Sequence, residues 1–301
     1  MDGWKRQGAD ARDHAFSLKL QPHLAALPTI VDNRRICSPI TDQGDLGSCT
    51  SNAFAALIEA NEIKRIGGSH ASSLASGGSA VISNFSTDAQ GRITFLTTVT
   101  PSAPTPAPAP APTPQPKPPL QRVSRLFEYY ATRVIEGTVG VDSGASIRDA
   151  IKAGAKYGVA NESTWPYDVS KFVVKPPDAV WNAAATHKVV SYHAIADGDI
   201  ATMKGVLAAQ NLIEFGFTVY ESFMGQQLAS TGVMPMPKPG EQVEGGHAVA
   251  LVGYEDARQA FLVRNSWGTN WGLAGYFYMP YAFVADVHQC NDFWVVTSAP
   301  L

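Results

Sequence analysis

From Cys49 onward the chain alternates as an amphipathic helix should: Phe54, Leu57 and Ile58 fall at i, i+3 and i+4, with Ala53, Ala56 and Ala60 beside them. Ser48 is placed to cap that helix, Lys64 and Arg65 suit its last turn, and Gly67-Gly68 stops it. Helical spacing returns with Leu126, Phe127, Tyr130 and Val134, then over 146–157 with Ile147, Ala150, Ile151 and Ala155. After Trp165-Pro166-Tyr167 the pattern turns strand-like, at 188–193, 212–219, 247–254, 260–265 and 275–279. Helices first and strands later predict an α+β fold.

Two stretches stand outside this pattern. Residues 1–36 form a leader with little periodicity. Residues 68–119 read as an insert, rich in Ser, Thr and Gly up to 100. Asp88-Ala-Gln-Gly91 before Ile93-Thr-Phe-Leu predicts a small hairpin there. Ten of the nineteen residues 101–119 are proline, which excludes helix and central strand and leaves extended polyproline II or a mobile spacer in a surface loop. At 301 residues the chain is long enough for one large domain or two small ones. A net charge of −3 gives no basic footprint for nucleic acid. No apolar run approaches the ~20 residues that span a bilayer. The first eight residues carry charges with no apolar core after them, so they do not read as a signal peptide. The compartment stays open between cytoplasm, export by another route, and a leader removed beforehand.

Three residues carry chemistry. Cys49 ends the string Gln43-Gly-Asp-Leu-Gly-Ser-Cys49 at the head of the first helix. His247 lies in Gly-Gly-His247-Ala-Val at a strand start, and Asn265 in Arg-Asn265-Ser-Trp267-Gly-Thr-Asn-Trp271-Gly. A thiol, an imidazole and a carboxamide form a set for nucleophilic catalysis. A free thiol has a pKa of ~8.5, and a helix N-terminus with a nearby imidazolium would lower it. Of seven histidines, only His247 has such a setting. Asn265 can orient the imidazole without adding a charge. A metal site is disfavoured, because no C-x-x-C or H-x-x-x-H pairing exists. A catalytically dead binding module is disfavoured because the whole set is present.

Taken together, these residues and the lead-in Asp32-Asn-Arg-Arg-Ile-Cys-Ser-Pro39-Ile-Thr-Asp42-Gln43 resemble the papain family of cysteine proteases, in its bacterial branch. The resemblance runs from about Leu27 to Trp294 around the insert, and is densest at 39–58, 126–168 and 245–278. It implies a two-lobed α+β fold: a mainly helical left lobe over 37–185, an antiparallel β-barrel-like right lobe over 186–301, and a cleft between them. It implies a cysteine endopeptidase working through an acyl-thioester on Cys49, with Gln43 in the oxyanion hole and Trp267 shielding the His247–Asn265 bond. Gly144, Ala145, Ile147, Ala248 and Trp267 are the substrate-side candidates. Ala145 departs from the family's Gly-Gly pair, and Ile147 and Ala248 would wall an apolar second subsite. The family's His and Asn fall ~130–150 residues after its Cys. Gaps of 198 and 216 here shrink to 144 and 162 once 67–120 are removed. The resemblance also implies disulfides, for which Cys37 and Cys290 would be the pair, with two separate buried thiols as the alternative. It implies no cofactor, a protein or peptide substrate and a monomer; another amide hydrolase, exopeptidase or transamidase keeps the same fold. The leader is too short for a prodomain with its own core. It would lie along the cleft, where Phe16, Leu18 and Leu20 alternate suitably, or wrap the right lobe.

Overall fold

The computed structural model describes residues 3–8, 27–67, 86–87, 93–94 and 119–298. In chain order its elements are β1 (Ile30–Asp32), α1 (Cys49–Gly67), β2 (Ser86–Thr87), β3 (Ile93–Thr94), α2 (Arg125–Glu136), α3 (Ile147–Lys156) and α4 (Asp178–Ala184). Then follow β4 (Val189–Ile195), α5 (Ile200–Ala208), β5 (Ile213–Tyr220), α6 (Glu221–Met224), α7 (Gln226–Thr231) and β6 (Val243–Glu255). The last are β7 (Ala260–Arg264), β8 (Tyr276–Pro280), α8 (Tyr281–Val284) and β9 (Cys290–Ser298).

The chain divides into two compact units, Met1–Gly68 with Pro119–Leu301, and Ser69–Pro118. In the second, β2 and β3 pair antiparallel with Ser86 opposite Thr94 and Thr87 opposite Ile93, the hairpin expected around Asp88-Ala-Gln-Gly91. The proline-rich stretch and Phe16, Leu18 and Leu20 lie outside the described residues. All the candidate catalytic residues belong to the first unit. Replacing Ser69–Pro118 by a linker of about six residues shortens the loop about three doublings, worth ~2 kcal/mol of closure entropy. We expect a soluble protein whose thermal midpoint is unchanged or higher in a circular-dichroism melt; an insoluble product would show that the insert is needed for folding.

In the first unit the helices are set by local chemistry. Ser124 caps α2 by accepting the Phe127 N–H, and Gly137 closes it with φ 73°. Ser146 caps α3 through the Asp149 N–H. The expected cap of α1, Ser48, turns its hydroxyl instead to Tyr167 Oη at 2.6 Å and accepts from Asn52 Nδ2. Most of α1 is buried, and its alanines let neighbouring elements approach closely.

The sheet is antiparallel and runs β4-β9-β5-β6-β7-β8, with β1 also paired to β6. It is open, with β4 and β8 at its ends, not closed as the barrel-like expectation had it. One face buries Phe215, Phe217, Val249, Leu251, Phe277 and Phe293 with Met203, Phe223 and Phe283 from the short helices. The other presents Ala248, Ala250, Val252, Trp294 and Val296 to Phe54, Leu57 and Ile58 of α1 and to Ile147 and Ile151 of α3. That second interface brings the head of α1 to the strand that carries His247.

Candidate active site

Cys49 is the first residue of α1 and is fully buried; its Sγ accepts the Ala248 N–H at 3.3 Å. Ala248 follows His247 on β6, so the thiol and the imidazole come from adjacent elements of one interface. The β6–β7 register sets Ala250 opposite Arg264, which carries Asn265 to the side of His247. His247 Nε2 lies 2.8 Å from Asn265 Oδ1. A carboxamide oxygen only accepts, so Nε2 carries the proton and a neutral ring leaves its lone pair on Nδ1. Asn265 Oδ1 also accepts the Ser266 N–H at 2.9 Å, which fixes the amide's orientation. His247 Nδ1 is buried with no hydrogen-bond partner among the described residues. Trp267 stacks on the imidazole at 5.0 Å and 29°, while Phe217 and Phe223 close its other sides.

Gln43 reaches the same corner. Its Oε1 accepts from Ser266 Oγ at 2.6 Å and its Nε2 donates to the Leu46 carbonyl at 3.0 Å, leaving a second N–H. Two residues that sequence reasoning did not assign hold the loop leading to Cys49. Asp142 accepts the Gly47 N–H, at 3.1 and 3.0 Å to its two oxygens, together with the Tyr129 hydroxyl. Tyr167 donates to the Gln43 carbonyl at 2.9 Å and lies against Ser48 Oγ. Asp142 stands two residues before Gly144, and Tyr167 ends Trp165-Pro166-Tyr167. Nothing in either pattern pairs them with a loop about a hundred residues away.

Residues 3–8 occupy the cleft. Gly3 lies so near the Cys49 thiol that a Cβ on it would stand 2.6 Å from Cys49 Sγ. Beside it Ala145 N–H donates to the Gly3 carbonyl at 3.0 Å and Lys5 N–H to the Ala145 carbonyl at 2.9 Å, a parallel bridge. Trp4 N–H donates to the Gly246 carbonyl on the opposite wall at 3.3 Å. Main-chain pairing thus falls on Ala145, while Gly144 supplies the turn with φ 64°. Lys5 reaches Glu136 and Ser143, Gln7 reaches Asp149, and Arg6 reaches the Val287 carbonyl. The Trp4 side chain is 8% exposed and shares one buried cluster with Cys49, Ile147 and Ala248. Ile147 and Ala248 are both buried there. The same face of the sheet also carries the buried carboxyl of Glu214, opposite Ala250.

Coverage sets the ionisation of the pair. Burial pushes the Cys49 thiol up to about 12; the backbone N–H groups of Ala248 and Thr50 oppose this and Glu214 adds to it. Burial pulls His247 down to about 4 against its hydrogen bond to Asn265. Closed in this way, the site holds a neutral thiol and a neutral imidazole. The expected lowering of the thiol pKa is absent here because desolvation outweighs the helix N-terminus.

Cys37 and Cys290 are not joined. Both are free thiols, Cys37 donating to the Asn33 carbonyl beyond the first strand and Cys290 buried opposite Phe217 at the start of β9. The pairing implied by the resemblance is therefore corrected to two separate thiols.

A fold that seats a buried thiol at a helix head, against the strand that carries an imidazole tied to a carboxamide, fits a class of thiol hydrolases. The model of the papain family of cysteine proteases matches residues 136–291, a stretch that holds His247 and Asn265. An uncharacterised peptidase C1-like protein of Acanthamoeba polyphaga mimivirus is 38% identical over 262 residues, covering 85% of this chain and 68% of that one. The crystal structure of xylellain, a cysteine protease from Xylella fastidiosa, superposes with a TM-score of 0.75 at 33% identity, over 98% of this chain and 95% of that one. Procathepsin B S9 from Trypanosoma congolense shares the fold at 15% identity, with a TM-score of 0.64 over 100% of this chain and 87% of that one. The chain belongs to the papain family of cysteine proteases and is a cysteine-type peptidase. Among the described residues no helix is long and apolar enough to cross a membrane.

Proposed function

We propose that this chain is an endopeptidase that cleaves polypeptides through an acyl-thioester on Cys49. The observation that carries the reading is the contact set at the head of α1: Ala248 N–H on Cys49 Sγ, with the neighbouring His247 oriented by Asn265 at 2.8 Å. In the open enzyme His247 Nδ1 takes the thiol proton as Sγ adds to the scissile carbonyl. The same nitrogen then gives that proton to the leaving amine. Water, deprotonated by Nδ1, hydrolyses the thioester and frees the thiol. The second N–H of Gln43 and the Cys49 backbone N–H would hold the oxyanion as its charge develops. Gly144, Ala145, Ile147, Ala248 and Trp267 would border the substrate. An endopeptidase is favoured over an exopeptidase because the cleft already accepts the run of chain 3–8 leading away from the thiol.

The same run supports a closed resting state, with the leader lying across the nucleophile. The test of the basic reading is labelling with an epoxysuccinyl thiol-protease inhibitor followed by peptide mapping. The adduct is expected on Cys49, with turnover of a protein substrate lost in step. Adduct on Cys37 or Cys290, or proteolysis that persists after Cys49 is fully labelled, would overturn it.

A further inference from the structure

One peptide group joins Gln43 to a carboxylate on another loop. The Leu46 carbonyl accepts Gln43 Nε2 at 3.0 Å. The same oxygen accepts the Ser48 N–H at 2.7 Å, which closes a three-residue turn centred on Gly47. The N–H of that peptide, on Gly47, points the opposite way, as a trans peptide requires. It meets both oxygens of Asp142, at 3.1 and 3.0 Å. Gln43 is thus aimed by a carbonyl whose direction is set from the other end by Asp142.

Gly47 makes that control necessary. A Cβ on it would stand 2.9 Å from Asp142 Oδ1 and 3.3 Å from Gly144 N, so the meeting of the two loops leaves no room for a side chain. Glycine accepts φ of either sign, so the peptide before it can turn over at little steric cost. A turned peptide would carry the Leu46 carbonyl away from Gln43. No disulfide ties residues 41–48 to 139–145, because neither stretch contains a cysteine. A hydrogen bond to a charged acceptor, roughly twice as strong as a neutral one, holds the peptide instead.

Asp142 is itself held from α2. Tyr129 donates its hydroxyl to Asp142 Oδ1 and accepts the Gly144 N–H at 3.2 Å. Burial, and then Asp142, push the Tyr129 phenol up, so it stays a donor across the neutral range. The Arg133 guanidinium lies 4.0 Å over the Tyr129 ring. It donates to the carbonyls of Val139 and Val141 at 3.1 and 3.0 Å, fixing the turn that leads to Asp142. Tyr129 and Arg133 are fully buried while Asp142 is exposed, so what Asp142 contributes is direction rather than burial.

We propose that Asp142 is a positioning residue for the oxyanion hole, acting on Gln43 through the Leu46–Gly47 peptide. The proposal rests on the peptidase reading above and deepens it by naming what orients the Gln43 amide.

The test is a double-mutant cycle on the full chain opened by Trp4→Ala. Asp142→Ala is expected to lower kcat by about 10–10²-fold with KM little moved. Asp142→Asn, isosteric and still an acceptor, is expected to cost about fivefold, and it serves where the alanine variant does not fold. In the Gln43→Ala chain the same substitutions should change kcat by less than about twofold, since their effect has nothing left to act through. Equal factors with and without Gln43, or a raised KM at normal kcat, would overturn the proposal. A second readout needs no turnover: hydrogen exchange of the Gln43 side-chain amide, followed by NMR in the Trp4→Ala, Cys49→Ala chain. Its signal is assigned by its loss in Gln43→Ala. Exchange should quicken about fivefold or more in both Asp142 variants, and unchanged exchange would overturn the positioning role. Faster exchange in a chain that turns over no peptide would sink the peptidase reading and leave that role standing.

Discussion

His247→Ala is expected to lower kcat by about 10⁴-fold or more, the scale on which removal of a general base from a triad acts. Cys49→Ala is expected to leave no turnover above background and no inhibitor adduct. The thiol is held at the head of α1 by the Ala248 N–H, and His247 is the neighbouring imidazole, with its free nitrogen turned away from Asn265. Asn265→Ala should be milder, by about 10²-fold, the cost of a ~1 Å misplacement of a catalytic group, because it orients the ring and accepts no proton. Gln43→Ala should cost about 10²–10³-fold in kcat with KM little moved. The measurement is initial-rate kinetics on one peptide across all four variants, in a chain whose cleft has been opened by Trp4→Ala. Equal, near-normal rates for the His247 and Asn265 variants would remove the Cys-His-Asn assignment.

Opening the cleft has the second large effect. Trp4 is buried on Gly216, Gly246 and Ala248, and truncating such a side chain to alanine costs about 3–5 kcal/mol. At ~1.4 kcal/mol per tenfold, the closed-to-open ratio should fall by about 10²–10⁴-fold in Trp4→Ala. Alkylation of Cys49 by iodoacetamide reads this directly. In the closed form neither group titrates between about 4 and about 12, so the intact chain should react slowly and with little pH dependence across the neutral range. Uncovering returns water to the site and restores the influence of the helix N-terminus and the imidazolium, so the variant should react faster, with a thiolate limb below ~8.5. Gly3→Val should act alike, since its Cβ would overlap the sulfur. Unchanged alkylation rates in both variants would mean that residues 3–8 do not restrain the enzyme.

Much of this site was legible in the sequence because its signals are local. The start of α1 at Cys49, its stop at Gly67, the strand bearing His247 and the strand that ends just before Asn265 follow from spacing and turn residues in short windows. The strand β9 escaped because it lies between β4 and β5 with both faces covered, so Phe293–Val296 run without the period of two that marks a half-exposed strand. The four residues 243–246 at the start of β6 escaped for another reason. Val-Glu-Gly-Gly has weak strand propensity, and Gly246 is there because the main chain and ring of Trp4 lie upon it. Asp142 and Tyr167 could not be found in sequence at all. Each acquires its place from a partner about a hundred residues along the chain.

Because the cleft's occupant is part of the same polypeptide, every substrate meets a tethered rival. The apparent affinity of any competing peptide is then its intrinsic affinity multiplied by the fraction of molecules that stand open. Inhibitors ranked on the intact chain keep their order and all lose the same factor. Changes in the leader alone would reset that factor, leaving every catalytic group where it stands.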